Sequence, residues 1–160
     1  MALTPLVCAT QKRFVGAKAT YELAYGCATD DPATLTFFPI MSLTTKSNST
    51  SVSTTGTRTD TDSGAYTDML VTGAEGTFQT DGIVDVTDAN VINMRLQLHA
   101  NLNANSGLYA YLREAALDIT ETTFVLITQF DRNYDTESEA TFSISYTKQN
   151  SAFNTMEPTP

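Results

Sequence analysis

Short stretches of period-two hydrophobicity alternate along this chain with clusters of Gly, Asp, Ser and Pro, the pattern of strands separated by turns. Ala17 to Cys27 predicts a first strand, closed by a turn at Asp30-Asp31-Pro32. A second strand is predicted over 34–41, and a third from Ala65 to Val71, ended by a turn over Gly73–Gly76. Thr77 to Val86 follows as a strand with a bulge at Asp81-Gly82. Later strands are predicted over 108–114, 123–131 and 139–148, with Phe142, Ile144 and Tyr146 of the last on one face. Residues 1–16, with Lys12 and Arg13, read as an N-terminal arm, and residues 150–160, with Pro158 and Pro160, as a flexible tail.

The stretch 88–103 satisfies two periods at once. Met94, Leu96, Leu98, Ala100 and Leu102 alternate with polar residues as in a strand. Asp88 is an N-cap residue, however, the content of Ala, Leu, Met, Arg and Gln favours helix, and the length is unusual for a strand. Wound as a helix, Val91, Met94, Leu98 and Leu102 form one stripe, and Ala89, Ile92, Leu96 and Ala100 a second, which predicts a helix buried on two sides.

Between the second and third strands lies the most unusual text. From Ser42 to Thr67, fifteen of twenty-six residues are Ser or Thr, and Val52 is the one sizeable aliphatic away from the ends. Such a segment has no core of its own, yet Thr is β-branched and favours extended backbone. The stretch 42–67 therefore predicts a protruding ribbon with Gly56 as its tip, whose free edges invite pairing with another chain. Lys46, Ser49, Thr50, Val52, Thr54, Arg58, Asp60 and Asp62 are its candidate inter-subunit contacts.

Composition sharpens this picture. One hundred and sixty residues make one domain, 1–160, and fifteen Phe and Tyr with abundant Thr and no Trp give a mainly β profile. The net charge of −9 is uneven: residues 1–59 hold five basic and three acidic side chains, residues 60–139 three basic and fourteen acidic ones. That balance lacks the footprint for gripping phosphate backbones but suits a wall that nucleic acid slides past. The opening Met-Ala-Leu-Thr-Pro-Leu-Val-Cys8 lacks a basic region and small residues before the cysteine, so it does not read as a lipoprotein signal, and no run approaches a membrane span. Folding in the cytoplasm is expected on these grounds.

The order of elements and several phrases resemble the tail tube (major tail) proteins of tailed bacteriophages, related in fold to the type VI secretion tube protein. The phrases are Thr57-Arg-Thr-Asp-Thr-Asp-Ser-Gly-Ala-Tyr-Thr-Asp-Met-Leu70, Gly76-Thr-Phe-Gln-Thr-Asp-Gly-Ile-Val-Asp85, the helix from Asp88, Phe124-Val-Leu-Ile-Thr-Gln-Phe130 and Glu139-Ala-Thr-Phe-Ser-Ile-Ser-Tyr146. The resemblance spans most of 34–150. It implies a two-sheet β-sandwich or barrel with one flanking helix and a long hairpin loop, forming hexameric rings stacked into a tube in a virion tail. Partners would be further copies, a tail sheath, a baseplate and a tail terminator, with genomic DNA passing through unbound. No cofactor and no enzymatic activity are implied. Asp81, Asp85, Asp131 and Asp135 are the candidate lumen-facing acids.

Other residues carry plainer readings. His99 is the only histidine, which leaves a catalytic triad or histidine metal site little to draw on, and it reads as a polar or interface residue beside Arg95 and Asn103. Asp131-Arg-Asn133-Tyr-Asp135-Thr-Glu137-Ser-Glu139 spaces oxygen ligands like a calcium loop, but it lacks the central Gly and has Phe142 in place of the bidentate carboxylate, so it reads as a solvated acidic turn. Cys8 and Cys27 read as two thiols; a bond between them would contribute about 3 kcal/mol, and a bond between subunits is the alternative. Two competing functions stay open at this level: a secreted pilus or adhesin subunit, and a small carbohydrate-binding sandwich, the latter disfavoured by the lack of Trp.

Overall fold

The computed structural model describes residues 18–57, 68–85, 87–116 and 119–158. Eight strands and one helix follow in the order β1 (Thr20–Tyr25), β2 (Phe38–Pro39), β3 (Leu43–Thr57), β4 (Asp68–Ile83), α1 (Ala89–Asn103), β5 (Leu108–Ala115), β6 (Ile119–Asn133), β7 (Thr141–Lys148) and β8 (Thr155–Pro158). All pairings are antiparallel, in the order β2-β1-β5-β6-β7-β4-β3, with β8 paired to β6. The mainly β expectation with one helix and a long hairpin therefore holds. The strands form one continuous ladder rather than two separate sheets, and the ladder does not close into a barrel.

The sheet nevertheless curls on itself. Tyr21 of β1 and Phe78 of β4 lie four strands apart in that order, roughly 19 Å on a flat sheet, yet their rings meet edge to face with centroids 6.0 Å apart. Their contact puts the core inside the curl. Alternation supplies it: Phe78 and Thr80 of β4, Phe142, Ile144 and Tyr146 of β7, and Ala110 and Leu112 of β5 all point inward and are buried. Long β6 serves both halves, pairing with β5 through Thr120–Ile127 and with β7 through Val125–Asn133. A register shift between Ile127 and Gln129 lets it bend between them.

The helix expectation is correct, and Asp88 caps α1 by accepting from Asn90 N at 3.0 Å. Burial on two sides is not. Val91 and Met94 are buried and Leu98 half-buried, while Leu102, Ala89, Leu96 and Ala100 are exposed and Ile92 is half-buried. The helix lies on the open end of a single curled sheet, so only one stripe finds a partner.

Five local expectations give way to tertiary context. The turn at Gly73–Gly76 is absent because β4 runs unbroken through it, held by β3, with the extra residue Thr72 taken up as a bulge. The bulge expected at Asp81-Gly82 falls on the facing strand, where Thr44 is extra. The predicted strand 34–41 shrinks to β2, preceded by a 3-10 turn at Pro32–Thr34 that Asp31 caps through Ala33 N at 2.9 Å. Part of the tail expected to be flexible forms β8, because Ile119–Thr122 of β6 offers a free edge. Gly56 is not a tip: it pairs with Met69, and the connection 58–67 lies outside the described residues.

Candidate assembly surface

β3 and β4 pair along almost their whole length, Leu43↔Gly82 through Thr57↔Asp68, but β7 supports β4 only from Thr77 to Ile83. Beyond Thr77, which faces Ser49, the two strands leave the body as a free ribbon. Eight residues of β3, Thr50 to Thr57, project roughly 26 Å, and among the described residues no third strand lies beside them. Thr supplies the extended bias and the paired ladder satisfies half of the backbone groups; the outer edges of β3 and of β4 before Thr77 keep the rest. On one face of the ribbon Val52 opposes Ala74 and Thr54 opposes Val71. Val52 and Val71 are 56% and 64% exposed, and Met156 of β8 is 64% exposed where the ribbon leaves the body. A cavity of about 360 Å³ opens at that junction, lined among others by Thr50, Ala74, Gly76, Lys148 and Met156.

The root of the ribbon is tied down by polar groups. Asn48 Nδ2 donates to Glu114 Oε2 at 2.7 Å and to Glu121 Oε2 at 2.8 Å. Lys148 Nζ pairs with Glu121 Oε1 at 2.8 Å, donates to Thr50 Oγ1 at 3.1 Å, and lies 4.4 Å from the centre of the Phe78 ring. Lys46 Nζ donates to the carbonyl of Ala19. Side chains of β3 thus bridge to β5, β6 and the start of β1, closing with a polar seam what the backbone ladder leaves open. Burial holds the Glu114 carboxyl above the usual range against the hydrogen bond from Asn48. Burial pushes Glu121 the same way, but hydrogen bonds from Lys148, Asn48 and Thr123 outweigh it and hold that carboxyl low. Burial raises the Tyr21 hydroxyl strongly, with the Glu114 charge beside it.

A second surface covers the outer face of β3, β4, β7 and β6. Register aligns Thr45, Asp81, Ser143 and Asp131 in one row across the four strands, and Ser47, Gln79, Ser145 and Gln129 in the next. These rows contain hydroxyls, amides and carboxylates and no Lys or Arg. Asp81 accepts from Thr45 Oγ1 at 2.6 Å, and hydrogen bonds from Ser143 and Thr45 hold its carboxyl low.

The residues anticipated from sequence divide accordingly. Ser49, Val52 and Thr54 lie open on the ribbon, whereas Lys46 and Thr50 are engaged by their own chain. Arg58, Asp60, Asp62 and Cys8 lie outside the described residues, and Cys27 is an exposed thiol. Of the four acids, Asp81 and Asp131 share the polar row. Asp85 instead starts the helix approach, accepting from Thr87 N at 2.8 Å and Thr87 Oγ1 at 2.6 Å, and Asp135 organises the β6–β7 turn by accepting from Glu137 N at 3.1 Å. His99 contacts Asn103 at 3.2 Å. Sequence reading missed Asn48, Glu114, Glu121 and Lys148. The signal available was a charged residue near the end of each strand, Glu114 after Tyr-Leu-Arg and Lys148 after Ile-Ser-Tyr-Thr.

Among the described residues, no group of three His, Cys, Asp or Glu side chains converges as metal ligands, and no helix is long and apolar enough to cross a membrane. Comparison with protein-family models finds no match, and comparison with curated protein sequences finds none either. Solved structures do match. The tail of an empty gene transfer agent particle, refined with C6 symmetry, superposes with a TM-score of 0.65 at 12% identity, over 91% of this chain and 98% of that one. The SPP1 tail tube gives 0.59 at 10% identity, over 92% and 80%. An extracellular contractile injection system, described as a sheath-tube complex, gives 0.54 at 12% identity, over 87% and 88%. At such identities the likeness lies in the path of the backbone, and on it this chain has the tail-tube fold.

Proposed function

We propose that this chain is the subunit of a tail tube, a structural and non-enzymatic virion protein that polymerises with itself. The observation that carries the proposal is the free ribbon. A two-stranded hairpin with no third layer is marginal by itself in water, so eight residues of exposed ladder with aligned Val52, Ala74 and Val71 call for a surface supplied by another copy. The match to tail structures over nine-tenths of the chain supports the same reading.

Rings of six, stacked into a hollow tube, are the arrangement we assign. The polar face carrying Asp81 and Asp131 is the one suited to a lumen, since hydroxyls, amides and carboxylates without Lys or Arg repel phosphate and give DNA nothing to hold. Asp85 and Asp135, bound into turns, belong to ring edges in this arrangement. A terminator, a baseplate and, in a contractile tail, a sheath would meet the ends and outside of the tube. Assembly in the host cytoplasm would leave Cys8 and Cys27 as thiols.

Negative-stain microscopy of the purified, concentrated protein tests the proposal. Rings or tubes with a continuous central channel are expected. A strictly monomeric protein over a wide range of concentration, salt and pH would overturn it.

A further inference from the structure

Within the polar seam, three strands bring together an amine, a carboxylate and a carboxamide. Lys148 ends β7, Glu121 lies near the start of β6, and Asn48 sits in β3. One carboxylate joins the other two groups: Glu121 Oε1 accepts from Lys148 Nζ at 2.8 Å, and Glu121 Oε2 accepts from Asn48 Nδ2 at 2.8 Å. Lys148 Nζ also donates to Thr50 Oγ1 at 3.1 Å, two residues along β3 from Asn48 and therefore on the same face. A primary amine and a primary amide are thus held on the two oxygens of a single base.

The surroundings favour their approach. β4 lies between β3 and β7, so the Lys148 stem has to cross it to reach β3. It crosses at Gly76, where a Cβ would collide with Cγ, Cδ and Cε of the lysine. The ammonium then rests 4.4 Å from the centre of the Phe78 ring, and the Lys148 and Glu121 side chains are only 16% and 10% exposed. Burial raises the Glu121 carboxyl, but hydrogen bonds from Lys148 and Asn48 outweigh it and keep the group ionised, the form that can take a proton. Asn48 Nδ2 has a second acceptor in Glu114 Oε2 at 2.7 Å, and with acceptors on both sides the amide can present only its nitrogen to them.

We infer that Lys148 and Asn48 join in an intramolecular isopeptide bond, made by the folded chain itself with Glu121 as general base. Glu121 takes one proton from the Lys148 ammonium, and the freed electron pair of Nζ attacks Cγ of Asn48. As the tetrahedral carbon collapses, Nζ gives up a second proton and the Cγ–Nδ2 bond breaks. Both protons pass through Glu121 to Nδ2, which departs as ammonium. Nothing is oxidised or reduced, Glu121 ends as it began, and each chain reacts once. Holding amine and amide on one carboxylate turns an encounter into an intramolecular step, which is the source of the rate. The product straps β3 to β7 across β4 at the root of the arm. That strap lies within one half of the curl, so the contact from Lys46 to the Ala19 carbonyl remains exchangeable. All three residues belong to one chain, so the reaction is independent of assembly.

Intact-mass spectrometry of the purified full-length chain, followed over several days at neutral pH, tests this. The chain should come to weigh about 17 Da less than its sequence requires, the mass of the ammonia released. Trypsin should then give one branched peptide joining residues 47–58 to 133–160, uncut at Lys148. Lys148→Arg, which keeps the cation, and Glu121→Gln, which keeps a hydrogen-bonding side chain, should both retain their full mass and give the two peptides separately. Circular dichroism checks that these variants fold, and the parental measurement decides the matter even if they do not. A parental chain that keeps its full mass throughout would overturn the inference. So would a loss of the same size that survives Lys148→Arg, as a succinimide at an asparagine would, or a branch anchored at another residue. Bond formation in folded Glu121→Gln would overturn the assignment of the base.

Discussion

β4 is two strands in one. Its second half, Thr77 to Ile83, lies between β3 and β7 with Phe78 and Thr80 buried; its first half, up to Gly76, has among the described residues β3 alone beside it and exposes Val71 and Ala74. The local composition differs little, since both halves are built from Thr, Gly and single apolar residues. What differs is the neighbour. The body half gains its stability from its own chain, and in the proposed tube the arm half would gain it from a neighbouring copy.

The most drastic way to separate the halves is to excise the arm, replacing residues 52–74 with an Asn-Gly turn beyond the Ser51↔Glu75 pair. The product should stay folded, with a cooperative melt close to the parent's, and form no tubes in the microscope. Phe78→Ala should do the reverse, costing the body about 3–5 kcal/mol in urea denaturation, whereas Val52→Ser should move the same midpoint by less than about 0.5 kcal/mol and weaken assembly instead. At the boundary, Lys148→Ala should destabilise by about 3 kcal/mol, since it leaves Glu121 nearly buried without its cation and uncovers the Phe78 ring.

The smallest effect is one of pH. Glu114 is held above its usual range by burial, so on acidification the folded protein takes up this proton before the unfolded chain does, and the group's contribution to stability is lost as pH rises through the folded value. Glu121 acts in the opposite sense: held low by Lys148, Asn48 and Thr123, it contributes above the unfolded value and loses that contribution as pH falls through the folded one. Glu114→Gln should therefore be at least as stable as the parent at neutral pH, with the difference shrinking on acidification. A gap that widened toward acid in denaturation curves would contradict the assignment of burial as the dominant cause.

Much of this architecture was legible in the order of residues because the responsible forces are local. Alternation placed Phe142, Ile144 and Tyr146 inward, the Asp88 cap and residue content chose helix over strand for 89–103, and the run of Thr and Ser marked the arm. Failures came where a distant partner decided. Gly73 and Gly76 read as a turn until β3 held them straight, and Thr155–Pro158 read as loose until β6 offered an edge. The seam was hidden for the same reason, because Asn48 meets Glu114 across sixty-six positions, and no window of neighbouring residues contains both.

That seam has a mechanical meaning. A barrel closed by backbone pairing opens only by unzipping a ladder, but here the circumference is completed by Lys46, Asn48 and Lys148 reaching across with flexible stems. Side chains of that kind can lengthen, swing and re-form without any strand losing its neighbour. In the proposed tube such a seam would act as an expansion joint beside the root of each arm, letting the assembly bend by small adjustments at every copy instead of cracking at one.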